Sequence, residues 1–231
     1  MTQFDLAGVA GVPETALSDA LVQRLPANLA EAPWSVTGQS LIWMSRGGRG
    51  CAQALPSSVR GTARGLGVVA GMVRYADTPV GTYDEVFGAV GFRHHGKVTG
   101  TVSFMAVDSE ASLVGGRTNW AMPKTLAEFT GGVGNRQTMT ATGADSVAWS
   151  VSATARVIGP SLPYRSKAVV HQQFPDGSLR ASQLVMRSRM RPAVITVKVS
   201  SDGPLAEWLR PGRHLGAVIS SMEFSLGVPT S

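Results

Sequence analysis

The chain has 231 residues, of which 43% are apolar and 16% charged, with 27 Gly, 13 Pro and a formal net charge of +6. That length and apolar share exclude a disulfide-stapled miniprotein, a coiled coil and a disordered chain, and predict a single domain over residues 1–231. One cysteine, Cys51, leaves no intrachain disulfide or thiolate cluster, and the longest strongly apolar run, Leu66 to Val73, is far short of the roughly 20 residues that cross a bilayer.

Asp5 stands where a secretory signal would be basic, so a cytoplasmic setting is expected. Residues 13–25, PETALSDALVQRL, predict an amphipathic helix: Pro13 suits a first helical position, and Leu17, Leu21 and Leu25 recur at spacing four. From about residue 38 to 228 the pattern is that of strands. SLIWMS at 40–45 is the first, and RGGRG at 46–50 then opens a loose, Arg-rich stretch through Gly65. Further apolar or alternating runs follow at 67–75, 83–92, 98–107, 137–143, 146–158, 168–174, 178–187, 193–199 and 215–226. Within them Val147, Trp149, Val151, Ala153, Ala155 and Val157 alternate with small or polar residues, and Phe174-Pro175-Asp176-Gly177 reads as a hairpin turn. PKTLAEF at 123–129 and PLAEWL at 204–209, each led by a proline, predict short helices. The fold class that follows is α+β and mostly β: an antiparallel sheet system or barrel with a few short helices.

Most residue types able to carry chemistry lack a partner in the pattern. His94 and His95 are adjacent and would point to opposite faces of a strand, while His171 and His214 stand alone, so no metal site is predicted. The Gly-rich stretches at 65–67 and 131–134 continue into neither a dinucleotide fingerprint nor a P-loop, and GxSxG is absent. Arg46, Arg49, Arg60 and Arg64 crowd one loop, and Arg187, Arg189 and Arg191 share one strand face. A nucleic-acid surface would interleave aromatic residues with them, and none lies nearer than Trp43, so solvated surface is the better reading.

The segment 101–129, TVSFMAVDSEASLVGGRTNWAMPKTLAEF, differs. Its Trp120-Ala121-Met122-Pro123 corner presents Lys124 at the start of the expected helix. An amine sheltered by Trp120, Met122 and Pro123 would be poorly solvated as an ammonium, and the positive helix end would disfavour it further, so its pKa is expected to fall. Those conditions suit a lysine that forms Schiff bases with ketones, although on pattern alone an ordinary solvated lysine is the commoner arrangement.

Tyr83-Asp84-Glu85-Val86, Met105-Ala106-Val107-Asp108, Gly116-Arg117 and Pro123-Lys124 together resemble the acetoacetate decarboxylase superfamily, over about residues 33–228. The resemblance implies that superfamily's β-barrel, a cofactor-independent lyase, a homo-oligomer and a small keto acid or ketone as ligand. It places Lys124 on the Schiff-base lysine and Glu85 on an active-site glutamate, with Tyr83, Arg117, Trp120 and Met122 around the substrate; Arg117 is available to a carboxylate, and bracing of the turn through backbone carbonyls is at least as good a role for it. The chain departs from the pattern at Thr125, where the decarboxylases carry a second lysine, and at Thr118, which replaces an acid. Ala70 and Gly38 stand near the places of a second glutamate and an early arginine. These departures point away from acetoacetate itself and toward an aldolase- or dehydratase-like member. A binding protein that has kept the pocket without the chemistry is the alternative, and nucleic-acid binding the least supported reading.

Overall fold

The structure, a computed structural model, describes residues 4–46, 49–143 and 145–231. The strands are β1 (Trp34–Arg46), β2 (Gly67–Asp77), β3 (Tyr83–His94), β4 (Lys97–Val107) and β5 (Lys124–Gly131), followed by β6 (Thr138–Gly143), β7 (Trp149–Val157), β8 (Leu162–Gln173), β9 (Leu179–Ser201) and β10 (Gly212–Leu226). Five short helices join them: α1 (Asp19–Arg24), α2 (Arg49–Gln53), α3 (Ser57–Arg60), α4 (Glu110–Trp120) and α5 (Leu205–Leu209). All the strands belong to one sheet, ordered β10-β1-β2-β3-β4-β5-β6-β7-β9-β8, and it is closed by the β9–β10 pairing. Every pairing is antiparallel except β4 with β5 and the single β4–β8 bridge.

Strand alternation gives the sheet two apolar faces. On β2, Val68, Ala70 and Met72 join a core with Trp43, Val90, Phe104 and Trp208, while Val73 and Tyr75 join a second core with Trp34, Met105 and Trp120. The turn at Phe174–Gly177 forms as expected, with Gly177 at φ 82° and Phe174 N–H donating to the Ser178 carbonyl at 2.8 Å. The β8–β9 hairpin that it joins helps to wall a cavity of about 600 Å³ on the second face.

Several elements differ from expectation. The N-terminal helix is broken: Pro13–Thr15 make one 3-10 turn, and α1 starts only at Asp19, where the Ser18 side chain accepts from Leu21 N–H. Residues 123–129 are a strand. Pro123 does not start a helix; it follows the end of α4, whose C-cap Ala121 is left-handed at φ 50° and donates its N–H to the Arg117 carbonyl. Helix α4 itself escaped the pattern because residues 112–117 are all buried, so no polar face marks its period. The runs at 178–187 and 193–199 are one strand, β9, long enough to pair with β8, β10 and β7. The Arg-rich loop holds α2 and α3; Gly47 and Gly48 lie outside the described residues. Arg187, Arg189 and Arg191 share an exposed face of β9, as their spacing predicts. No described helix is long and apolar enough to cross a membrane.

Candidate active site

Lys124 opens β5 directly beside β4, where Met105 is its register partner, and its side chain reaches back across α4. The route exists because Gly116 has no side chain: a Cβ there would come within 2.6 Å of Lys124 Cδ and Cε. At the end of the route Nζ donates to Glu85 Oε2 at 2.9 Å and to Ser112 Oγ at 2.9 Å. Lys124 and Glu85 are each only 3% exposed. Glu85 sits in the middle of the sheet on β3, and its other oxygen accepts the Tyr75 hydroxyl at 3.0 Å. The Tyr83 ring lies 5.1 Å from Nζ and 4.5 Å from the ring of Tyr75. Two carboxylate oxygens, two phenols, one amine and one serine hydroxyl thus cluster at one end of an otherwise apolar cavity.

Tyr83, Glu85, Trp120, Met122 and Lys124 all line that cavity, as does Tyr75. Arg117 does not, which corrects the expectation that it holds a substrate carboxylate. It is 1% exposed, and its Nε, Nη1 and Nη2 donate to the carbonyls of Lys124, Leu6 and Thr15 at 2.6, 2.6 and 2.5 Å. With all three nitrogens committed to backbone, the guanidinium braces the corner that carries Lys124. Burial lowers its pKa from the ordinary guanidinium range to about 10, so it is charged at neutral pH.

The electrostatics of Lys124 also differ from the sequence expectation. Burial pulls its pKa down, but the facing Glu85 carboxylate and Tyr83 outweigh burial and hold it above the ordinary 10.5. The resting amine is therefore an ammonium. Burial and the Glu85 charge push the Tyr75 phenol well above its ordinary value, so it stays a donor. Burial raises Tyr83 as well, with Lys124 acting in the opposite sense.

Tyr75 and Ser112 were not singled out from the sequence. Tyr75 pairs with Tyr83 in the β2–β3 ladder, two residues from Glu85, and only that register could have flagged it. Ser112 lies inside the motif stretch, but its role depends on α4. The positions of the missing family groups are accounted for too: Ala70 faces the opposite core, and Gly38 pairs with Tyr75 and Met222 without presenting a side chain. His94, His95 and His171 come together at the surface, with His94 ring centroids 4.1 Å from His95 and 5.0 Å from His171. Among the described residues no group of three or more His, Cys, Asp or Glu could hold a metal ion.

Comparison with known proteins gives the architecture a lineage. The family model for acetoacetate decarboxylase matches residues 51–203. No curated protein matches the chain by sequence. Among solved structures, the acetoacetate decarboxylase of Legionella pneumophila is similar with a TM-score of 0.60 at 16% identity, covering 90% of this chain and 92% of that one. The enduracididine biosynthesis enzyme MppR complexed with pyruvate gives 0.62 at 14% identity, covering 88% and 91%. An acetoacetate decarboxylase-like enzyme from Sphingomonas wittichii RW1 gives 0.56 at 16%, covering 87% and 93%. At such identities the likeness to these structures is one of fold.

Proposed function

Because the chain belongs to the acetoacetate decarboxylase family, we propose that it is a Schiff-base-forming lyase that acts on a keto acid or related ketone through Lys124. The observation that carries this reading is the buried contact of Lys124 Nζ with Glu85 Oε2, 2.9 Å long, at the end of a ligand-sized cavity. An ammonium is no nucleophile, so the pair must first pass one proton from Nζ to Glu85. In a dry site the neutral pair is accessible, because it removes two buried charges at once. The free amine then adds to the carbonyl carbon, forming the C–N bond and a carbinolamine. Glu85 returns its proton to the leaving hydroxyl, and water departs as the iminium forms. The iminium withdraws electrons from the neighbouring carbon-carbon or carbon-hydrogen bond, so loss of carbon dioxide, retro-aldol cleavage or proton removal each yields an enamine.

Thr125 in place of a second lysine takes the decarboxylase pattern away, and one neighbour of this fold, MppR, is known in complex with a condensation product of pyruvate and imidazole 4-carboxaldehyde. Both support aldol-type chemistry in preference to decarboxylation of acetoacetate. The test is reduction with borohydride in the presence of ketones and keto acids, then mass spectrometry of the peptide containing Lys124. A reduced adduct on Lys124, absent from Lys124→Met, is expected. No adduct across a broad panel would overturn the reading in favour of a binding protein, which the raised pKa of the resting amine favours.

A further inference from the structure

We propose that the cavity takes an extended, apolar carbonyl compound that carries no carboxylate of its own. This rests on the reading of Lys124 as the carbonyl-binding amine and says what the rest of the molecule bound there looks like.

Charge is the first ground. Among the described residues lining the cavity, Lys124 is the one cation and Glu85 the one anion, and they neutralise each other. Arg117, which is buried but does not line the cavity, is spent on three backbone carbonyls. A ligand carboxylate would therefore be buried against apolar side chains, with no cation of its own and with the Glu85 carboxylate close to the reacting carbonyl. Burying such an unpaired charge is strongly unfavourable. Loss of the ion pair to an incoming carboxylate gives no escape, since it would leave Glu85 unpaired instead.

Shape and lining are the second ground. Away from the Lys124 end, the wall consists of side chains such as Ile42, Val73, Phe87, Leu184, Ile219 and Phe224. Six of the chain's nine methionines, Met44, Met105, Met122, Met186, Met190 and Met222, also face it. Methionine suits irregular apolar ligands because its unbranched, polarisable chain adapts to their outline. The cavity reaches from Glu85, which pairs with Val73, to Val69 and Met44, which pair with each other further along the same sheet. Val73 and Val69 are four strand positions apart, a distance of roughly 13 Å. At that far end Met44 is 59% and Leu215 68% exposed, so the mouth is apolar as well. A three- or four-carbon acid would leave most of the roughly 600 Å³ empty.

The test uses the native protein and the quenching of Trp34 and Trp120, both of which line the cavity. Methyl ketones from 2-butanone to 2-undecanone are titrated beside 2-oxo acids of matched length. The expected result is affinity rising about three- to fourfold per added methylene until the cavity is filled, with 2-oxononanoate at least about tenfold weaker than 2-nonanone. Equal or tighter binding of the oxo acid, or affinity independent of chain length, would overturn the proposal. Borohydride reduction of the same samples separates it from the function it rests on. Tight 2-nonanone binding without an adduct on Lys124 supports the apolar, carboxylate-free ligand and overturns the Schiff-base chemistry. Adducts formed with pyruvate but with no long ketone leave the chemistry standing and overturn the ligand class.

Discussion

Lys124 and Glu85 stand 39 positions apart in the chain and meet at 2.9 Å inside a cavity whose remaining wall is almost wholly apolar. The pair decides both how the amine is held at rest and how it can be released. Four further experiments follow from its surroundings.

Glu85→Gln should move the amine's titration to lower pH. In the native protein Glu85, with Tyr83, outweighs burial and raises the Lys124 pKa above 10.5; without the carboxylate, burial is opposed by Tyr83 only. The part of the stability due to the raised pKa is present below the unfolded value of 10.5 and is lost as pH climbs through the folded one. In the variant this alkaline loss should vanish, and reductive methylation of Lys124, followed against pH, should show its midpoint shifted to the acid side. A midpoint left unchanged would mean that Glu85 does not hold the ammonium.

Lys124→Met should destabilise the fold by about 3–5 kcal/mol, because it leaves the Glu85 carboxylate buried without its ion partner. Adding Glu85→Gln keeps an acceptor for the Tyr75 hydroxyl and removes the stranded charge, so the double variant should regain most of that loss. Urea denaturation of the native protein and both variants checks this; a double variant weaker than Lys124→Met would contradict it.

Gly116→Ala should separate stability from reactivity. Alanine favours a helix by about 1 kcal/mol over glycine, yet its Cβ would sit 2.6 Å from Lys124 Cδ and Cε. The lysine stem has to move, while its amine is pinned by Glu85 and Ser112. Trapping of carbonyl ligands on Lys124 should fall by about a hundredfold, with the melting temperature nearly unchanged. Native trapping rates would show that the route across α4 is not needed.

Arg117→Lys should lower stability rather than anion affinity. A lysine cannot reach the three carbonyls of Leu6, Thr15 and Lys124 together, and each charged hydrogen bond lost costs about 1.5–3 kcal/mol. The expected outcome is a markedly lower melting temperature with the affinity for pyruvate little changed. Lost pyruvate binding at native stability would return Arg117 to the ligand site.

Much of the β architecture is local and therefore legible. Trp149, Val151, Ala153 and Ala155 alternate in the chain because β7 has one buried face, and all four are buried. Helix α4 went unpredicted, and strand β5 stands where a helix was expected, for reasons that are not local. Proline is equally at home at a helix start and just beyond a helix end, and which of these Pro123 serves depends on the left-handed Ala121 before it. A helix buried throughout its middle, residues 112–117, has no periodic face to betray it.

The chain's own order of residues determined that a mostly β protein would form, since strand alternation is a short-range property, and its resemblance to a known family directed attention to Lys124, Glu85, Tyr83, Trp120 and Met122, which line the cavity. Tertiary structure alone decided that Arg117 faces backbone instead of ligand, that Tyr75 and Ser112 complete the polar cluster, and that Lys124 rests as an ammonium. Each of these depends on which distant groups share a low-dielectric space, and burial and Coulomb attraction act on Lys124 with opposite signs. Their balance follows from the 2.9 Å contact made when β3 and β5 flank β4, and from no property of the residues taken singly.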